Sequence, residues 1–455
     1  MSYNPIKELT QQLIYYFTME PGEKKDAPPS SSWQHGELIR FNRDNVEQQG
    51  DLSISAIAKN WQYFCLKNGL TMRSMSQETL LPDEDSIKAL LEYSKEGWLY
   101  PLSKVTLLHK ERIALYFQRE AIVVNVIQTI LRQGDDYGKC PKRDDIDKAK
   151  ARPSLCLKLH EELAHPDSGS STKALHQFRA KQLHQIVRRL LDYTDWRLVE
   201  PNEVDQQAKD TLVVCVESSN QSSRMTIGPK PSHVVSLSCG PVLEPSTKMA
   251  STLTSDEYKA LRANDMLLTA MHRSGMRDVS KNGDYKGLIQ QLGRAAVIVD
   301  LFEVRHSSAV SLVRSGQSRS KGASFILYNS ARMGTLIRLY DANKDTTKSD
   351  AAGQPPMDAI LQKLTEEVEW ELIYGYLLSF PDVVESTLTQ LKQGHCGVHL
   401  LVRYIINLAS TFSRFYRKYK VLWGAFTARI YLVKAVHQVL KSALALLGIE
   451  PVNCM

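Results

Sequence analysis

Several things are missing from this 455-residue sequence, and each absence removes a class of function. No two cysteines form a CxxC pair. The seven (Cys65, Cys140, Cys156, Cys215, Cys239, Cys396 and Cys454) are scattered and odd in number. That argues against a structural zinc site or a disulfide framework, and a reducing compartment, the cytoplasm, is expected. No apolar run reaches the roughly 18 residues that a membrane helix needs. Met1 to Gly22 carries Lys7, Glu8 and Glu20 and has no arginine before Arg40, so neither a secretory h-region nor an Arg-rich presequence is expected there. There is no GxxxxGK[ST] loop, no GxGxxG, no GxSxG elbow and no HExxH. A methyltransferase acting alone is disfavoured because no glycine-rich methyl-donor loop is present. His160, His165, His176 and His184 cluster in the chain, but no cysteine or carboxylate completes a metal set, so neither metal nor cofactor is expected.

Acidic charge is nearly absent from one segment. From Leu400 to Met455 there are eight basic residues (Arg403, Arg414, Arg417, Lys418, Lys420, Arg429, Lys434 and Lys441) against Glu450 alone. The net charge of the whole chain is +7, so all of its excess lies here. A field of one sign on one segment points to a polyanionic partner or, more blandly, to a solvated helix face.

Periodicity gives a coarse outline. A short helix is expected over residues 1–20, followed by a Pro/Ser-rich linker, Glu20 to Ser32. Ile54 to Leu66 has helical spacing, with Ile57, Trp61 and Phe64 on one stripe, and Asp83-Glu84-Asp85 precedes another helical run, Ile87 to Tyr93. Arg112 to Leu131 reads equally as helix or buried strand. Gly134 to Ala151 is a charged linker, and residues 155–195 read as helical. Thr211–Glu217 and His233–Leu237 are β-type segments. Thr254 and Glu257 have capping-box spacing at a helix start, and that helix stops near Gly275. A further helix covers about Tyr285 to Arg305. Beyond Gly322 the pattern is almost wholly helical. Ala323–Tyr340 precedes a polar loop, Lys344 to Pro356; Met357–Ser379 follows; Pro381 opens a helix ending near Gly394; two long helices cover about 397–420 and 425–447, with Gly448 as the stop.

Five strings in the last third occur in an order that has a family likeness. They are Phe325-Ile326-Leu327-Tyr328-Asn329-Ser330-Ala331-Arg332-Met333; Leu377-Leu378-Ser379-Phe380-Pro381-Asp382-Val383-Val384; Tyr404-Ile405-Ile406-Asn407-Leu408-Ala409 with Phe412, Phe415 and Tyr416; Val421-Leu422; and Ala428-Arg429-Ile430-Tyr431-Leu432 running on to Met455. This segment resembles the DALR anticodon-binding domain of arginyl-tRNA synthetases. Residues 238–313 are more weakly similar to the segment that joins a synthetase catalytic domain to that module. Together the features resemble the DALR-anticodon-binding-domain-containing proteins, synthetase-like and catalytically degenerate, better than a working synthetase.

The resemblance implies a mostly α chain, with a C-terminal DALR-type helical bundle following a degenerate class I synthetase-like α/β region. The expected division is an N-terminal α+β region at 1–140, the synthetase-like region at 141–320 and the anticodon-binding domain at 321–455. Expected tRNA-binding residues are Tyr328, Arg332, Arg403, Tyr404, Asn407, Arg414, Arg417, Lys418, Lys420, Arg429 and Lys434. Long basic side chains there can meet phosphates, and exposed aromatics can stack on splayed loop bases. Core packing is the competing role for Phe412, Tyr416, Tyr404 and Tyr419, and a structural pair is the competing role for Tyr328 with Arg332.

A class I synthetase also needs an HxGH string at a helix start and a mobile KMSKS-type lysine loop. No HxGH is present; Gly394-His395-Cys396-Gly397-Val398-His399 has the wrong spacing and reads as a loop between helices. Lys248-Met249-Ala250-Ser251 falls where the lysine loop should be but lacks the second lysine, and Arg73-Ser74-Met75-Ser76-Gln77 comes far too early. The expected function is therefore a non-catalytic adaptor that binds arginine tRNAs. The partner implied by the resemblance is an RNA methyltransferase forming 3-methylcytidine in the anticodon loop. The alternatives are a divergent active arginyl-tRNA synthetase and a helical protein scaffold without RNA.

Overall fold

The computed structural model describes residues 4–18, 38–43, 45–72, 78–108, 111–141, 153–164, 174–200, 211–219, 234–274, 284–313, 322–346, 356–421 and 427–452. The linker at Glu20 to Ser32, His165, the Arg73–Gln77 string, Leu422 and Cys454 lie outside these residues, as do most of Gly134–Ala151 and of Lys344–Pro356. The chain folds as two compact units. One comprises residues 1–132 with 354–382, the other residues 133–353 with 383–455.

The first unit is built on an antiparallel sheet of four strands, β1 (Ile39–Phe41), β2 (Leu52–Ser55), β3 (Leu102–Leu108) and β4 (Arg112–Phe117), in the order β1-β2-β4-β3. Its longer helices are α1 (Pro5–Thr18), α2 (Ala58–Asn68), α3 (Glu84–Gly97) and α4 (Arg119–Gln133). Asp83 caps α3 by accepting from the Ser86 amide at 2.8 Å. The ambiguous stretch from Arg112 to Leu131 is both things in turn. It forms strand β4, turns at Gln118, and then forms helix α4, which buries Ile122, Val123, Val126, Ile127 and Ile130 on one face.

The expectation of helix from Ile54 needs correction: Ile54 and Ser55 belong to β2, and the helix begins at Ala58. Ile54 pairs with Ile39 and Ile113 across the sheet, so non-local strand pairing overrides the local helical spacing. Trp61 and Phe64 do lie on the buried stripe, whereas Ile57 is exposed. Gly50 sits at φ 77°, and a Cβ there would come within 2.9 Å of the Ala114 Cβ and the Leu115 amide nitrogen, so the turn into β2 requires glycine.

Asp51 organises this unit. Fully buried, it accepts hydrogen bonds from the Phe117 amide at 2.8 Å and from Trp370 Nε1 at 2.9 Å, while its own carbonyl accepts from Tyr374 Oη at 2.8 Å. Met357–Ser379, expected to be helical throughout, instead forms a short helix Met357–Leu361, a second one Glu367–Trp370 and a wide π-helical turn Glu371–Leu378. The wider turn carries Tyr374 onto Phe41, with ring centroids 4.4 Å apart, and Trp370 stacks on Tyr374 at 5.1 Å.

The second unit begins with a parallel sheet of β5 (Ser154–Leu159), β6 (Arg197–Leu198), β7 (Thr211–Ser218) and β8 (Val234–Cys239), in the order β6-β5-β7-β8. Helix α5 (Leu175–Leu191) follows β5 and packs on β5, β7 and β8. The helical expectation for 155–195 therefore fails at its start. Leu155, Cys156 and Leu157 are all buried, and a central parallel strand reads as a continuous apolar run that periodicity does not distinguish from a helix. A small parallel pair, β9 (Val242–Leu243) and β10 (Val310–Ser311), follows.

Helices α6 (Ser255–Ser274) and α7 (Asp284–Phe302) pack closely at Gly293, where a Cβ would meet Ala263 and the Lys259 carbonyl at 2.8 Å. The capping box forms as expected. Thr254 N donates to Glu257 Oε2 at 2.8 Å, and Glu257 N donates to Thr254 Oγ1 at 3.2 Å.

The longer helices that follow are α8 (Ala323–Thr346), α9 (Phe380–Leu388), α10 (Val398–Lys418) and α11 (Thr427–Leu447). Helix α8 continues past Lys344, the expected loop start. It packs on both α10 and α11. Helix α11 is long and apolar enough to cross a bilayer by length and composition, but two-thirds of its apolar window is buried inside the protein, as for a core helix. Gly448, at φ 75°, ends it under the Arg189 guanidinium.

Candidate nucleic-acid interface

Helix α10 divides cleanly by face. Leu401, Val402, Tyr404, Ile405, Leu408, Ala409, Phe412 and Phe415 are buried. Arg403, Asn407, Arg414, Arg417 and Lys418 are exposed on the opposite face, and Lys420 follows beyond the helix end. At 100° per residue, positions 403, 407, 414 and 418 fall within one narrow stripe, so the amphipathic pattern that buries the core also aligns the cations. Neither α10 nor α11 contains a single Asp or Glu.

Tyr404 does not take the place expected of it. Its side chain is 2% exposed and belongs to the core, so it offers no ring to a base. Phe412 and Phe415 are fully buried as well. Of the rings weighed as partners for bases, Tyr328 on α8 and Tyr416 and Tyr419 at the end of α10 remain partly accessible. Tyr328 and Arg332 form the pair that their spacing suggested, with Arg332 Nη2 donating to Tyr328 Oη at 2.7 Å. Arg332 also does something its position in the chain did not reveal. Its guanidinium lies 4.5 Å from the Tyr328 ring centre and 4.6 Å from that of Tyr416, so one cation joins α8 to α10 between two rings. The Arg429 guanidinium, from α11, covers Tyr419 at 4.6 Å, and Arg429 Nη1 donates to the Lys420 carbonyl at 3.4 Å. The outcome is a patch at one end of the bundle in which rings and guanidinium groups alternate.

Other cations are committed elsewhere. Lys434 pairs with Asp341 at 2.8 Å and Lys441 with Asp135 at 3.2 Å, so these two charges are largely neutralised within the fold. Gln438 first, and Lys441 second, hold the Asp135 carboxyl below its ordinary range. Two of the eight basic residues of the last segment, Lys434 and Lys441, are thus paired within the fold, while five of the others lie on α10 or just beyond its end. Tyr416 and Tyr419 were legible as ring positions; their exposure and their guanidinium partners depended on which helices pack together.

The lysine-loop string forms a tight turn after β9. Lys248 sits at φ 57°, its amide donates to the Glu244 carbonyl at 2.9 Å, and Ser251 Oγ donates to Glu244 Oε1 at 2.6 Å. The Gly394–His399 string is the connection into α10, with Gly394 at φ 77°. Among the described residues, no group of three or more His, Cys, Asp or Glu is placed to hold a metal. His176 and His184 lie on α5, where burial lowers the pKa of each.

A family model described as the DALR anticodon binding domain matches residues 326–455. The DALR anticodon-binding domain-containing protein 3 of Mus musculus is 28% identical over 246 residues, which cover 49% of this chain and 43% of that protein. An arginine–tRNA ligase of Pyrococcus abyssi is 37% identical over 138 residues, 29% of this chain and 19% of the ligase. The chain thus spans less than half the length of these curated relatives. Among solved structures, arginyl-tRNA synthetase of Thermus thermophilus superposes with a TM-score of 0.60 at 10% identity, covering 92% of this chain and 96% of that one. The Plasmodium falciparum enzyme gives 0.58 at 11% identity, with both chains fully covered.

Proposed function

Because residues 326–455 form a DALR anticodon-binding domain within an arginyl-tRNA synthetase-like fold, we propose that this protein is a tRNA-binding adaptor without aminoacylation chemistry of its own. The observation that carries the reading is the acid-free stripe of α10, Arg403 to Lys418, which ends in a patch of tyrosines bracketed by guanidinium groups. Such a surface neutralises phosphates and releases their counterions, while half-exposed rings stack on unpaired loop bases. Arginine tRNAs are the proposed ligands. The proposed role is to present them, in the cytoplasm, to an RNA methyltransferase that forms 3-methylcytidine in the anticodon loop.

Two properties support the non-catalytic side of this reading. The chain lacks HxGH, and the only lysine in its Lys248–Ser251 turn is Lys248. Glu244 and Ser251 also tie that turn to itself. A pull-down that sequences bound RNA and identifies bound proteins tests the adaptor: arginine tRNAs recovered together with a methyltransferase support it, and proteins without tRNA overturn it. The fold match over nearly the whole chain favours one second reading, a divergent arginine–tRNA ligase. Arginine-dependent ATP–pyrophosphate exchange above a blank would establish that reading and remove the first.

A further inference from the structure

A second polar site lies at the other end of α10. It is a cavity of about 730 Å³ within the second unit, formed where the segment after α7, the end of α9 and the start of α10 converge. Its polar lining includes Arg305, Ser307, Thr389, Gln390, His395 and His399, and among the described residues no carboxylate lines it. His306 forms part of its wall and is committed to the fold. Its Nδ1 lies 2.9 Å from the Ser238 carbonyl, and its Nε2 accepts from the Cys396 amide at 3.1 Å. Accepting at Nε2 requires the proton on Nδ1, so His306 is held as the neutral tautomer.

His399 is different. Its Nδ1 is buried and makes no hydrogen bond. Burial chiefly, then the charges of Arg403 and Arg305, push its pKa below the ordinary histidine value. Positive potential therefore converges on this imidazole from two arginines, and among the described residues the lining offers nothing anionic to answer it. The site also gains from the first turn of α10, a helix of 21 residues whose N-cap, Gly397, supplies no side-chain cap bond.

His399 is placed in register with the exposed stripe of the same helix. Position 399 lies four residues before Arg403 and continues the row through Asn407, Arg414 and Lys418. The two ends of the row, 399 and 418, are about 28 Å apart at 1.5 Å per residue. One elongated polyanion lying along the helix meets both ends; a small anion meets one.

We propose that this cavity is a backbone-phosphate site for RNA, in which Arg305 and His399 hold a phosphate about one helix length from the anticodon-facing end of α10. The proposal rests on the tRNA reading above and deepens it. The contact falls on the stem side, beyond the loop, so the cavity distinguishes a whole folded tRNA from an isolated anticodon loop.

The test uses the full chain, an arginine tRNA transcript and the short anticodon hairpin cut from it, with binding followed by fluorescence anisotropy over a salt series. Arg305 is exposed, so Arg305→Ala is expected to fold; the double variant Arg305→Ala with His399→Asn removes both contacts. The double variant should bind the whole tRNA roughly tenfold more weakly, the scale of a hydrogen bond to a charged group. Its salt slope should fall by about one, and hairpin binding should not change. Arg305→Lys should restore the slope. Unchanged tRNA affinity would overturn the site, and so would equal losses on both RNAs, which would mean that the change acts through the packing of α10. Stabilisation of the wild type by millimolar inorganic phosphate, lost in the double variant while tRNA affinity is unaffected, would assign the cavity to a free anion and also overturn it. Charge reversal at Arg414, Arg417 and Lys418 serves as the reference: if that variant keeps full tRNA affinity, the tRNA reading itself fails.

Discussion

The two units bury opposite kinds of ionisable group at their organising points. The first is built around an acid. Burial of Asp51 raises its pKa to about 6, despite donors from Phe117 and Trp370 that favour the charged form. The second is built around bases. Burial of His306 lowers its pKa to about 4, and the buried Arg179 donates to the carbonyls of Gly240 and Ser308, each at 2.8 Å, and of Arg305 at 3.1 Å. An antiparallel sheet closed by a nearby carboxyl group and a parallel sheet closed by a guanidinium and a neutral imidazole meet the same requirement, satisfaction of buried backbone groups. The comparison teaches that one pH change should act on the two units in opposite directions.

The largest way to break this contrast is to remove Arg179. Arg179→Met leaves three carbonyls without their donor, and an expected loss of about 3–5 kcal/mol follows from orphaned buried acceptors. Hydrogen exchange read peptide by peptide should show a larger loss of protection in β8 than in β2. Equal losses would show that the units open together.

The pH response sharpens the comparison further. Between about pH 4 and 6 the folded first unit holds a proton on Asp51 that the unfolded chain has released, so its stability falls as pH rises through that window and levels off above it. Across two pK units the change is about 3 kcal/mol. In the second unit the unfolded chain binds the proton and the folded His306 does not. Its stability is therefore full above about pH 6.5 and is lost as pH falls toward 4, by a similar amount. Asp51→Asn should flatten the response of β2 peptides and leave that of β8 peptides intact. A wild type whose β2 and β8 peptides shift in the same direction would refute the contrast.

Surface charge should act on function and leave stability alone. Reversing Arg414, Arg417 and Lys418 should weaken tRNA binding about 100-fold and lower the salt slope by about three, with far-UV circular dichroism unchanged. A loss of helicity would make these side chains structural. The smallest effect is expected at Lys434. Its partner Asp341 already holds its charge, so Lys434→Ala should cost less than about threefold in binding.

Much of this was legible in the chain and some was not. Helix α10 could be read from its period, and its cations from the same period, because a helix with one buried face necessarily displays its polar residues on the other. The capping box at Thr254 and the stop at Gly448 were legible because they depend on neighbours within a few residues. Strands β2 and β5 were misread because a strand paired on both sides is set by partners far away in the chain. Tyr404 was misplaced for a related reason: a tyrosine on an amphipathic helix suits either face, and only the tertiary packing makes position 404 interior.

The sequence by itself determined the helical period of the last third, the location of its excess charge and the order of motifs that resemble an anticodon-binding domain, since each is a local or linear property of the chain. Tertiary structure alone decided that Arg332 lies between Tyr328 and Tyr416, that Lys434 and Lys441 are neutralised, that residues 357–378 wind onto Asp51, and that His399 and Arg305 share a cavity. Each of these depends on side chains brought together across many residues, where burial and charge act through space and not along the chain.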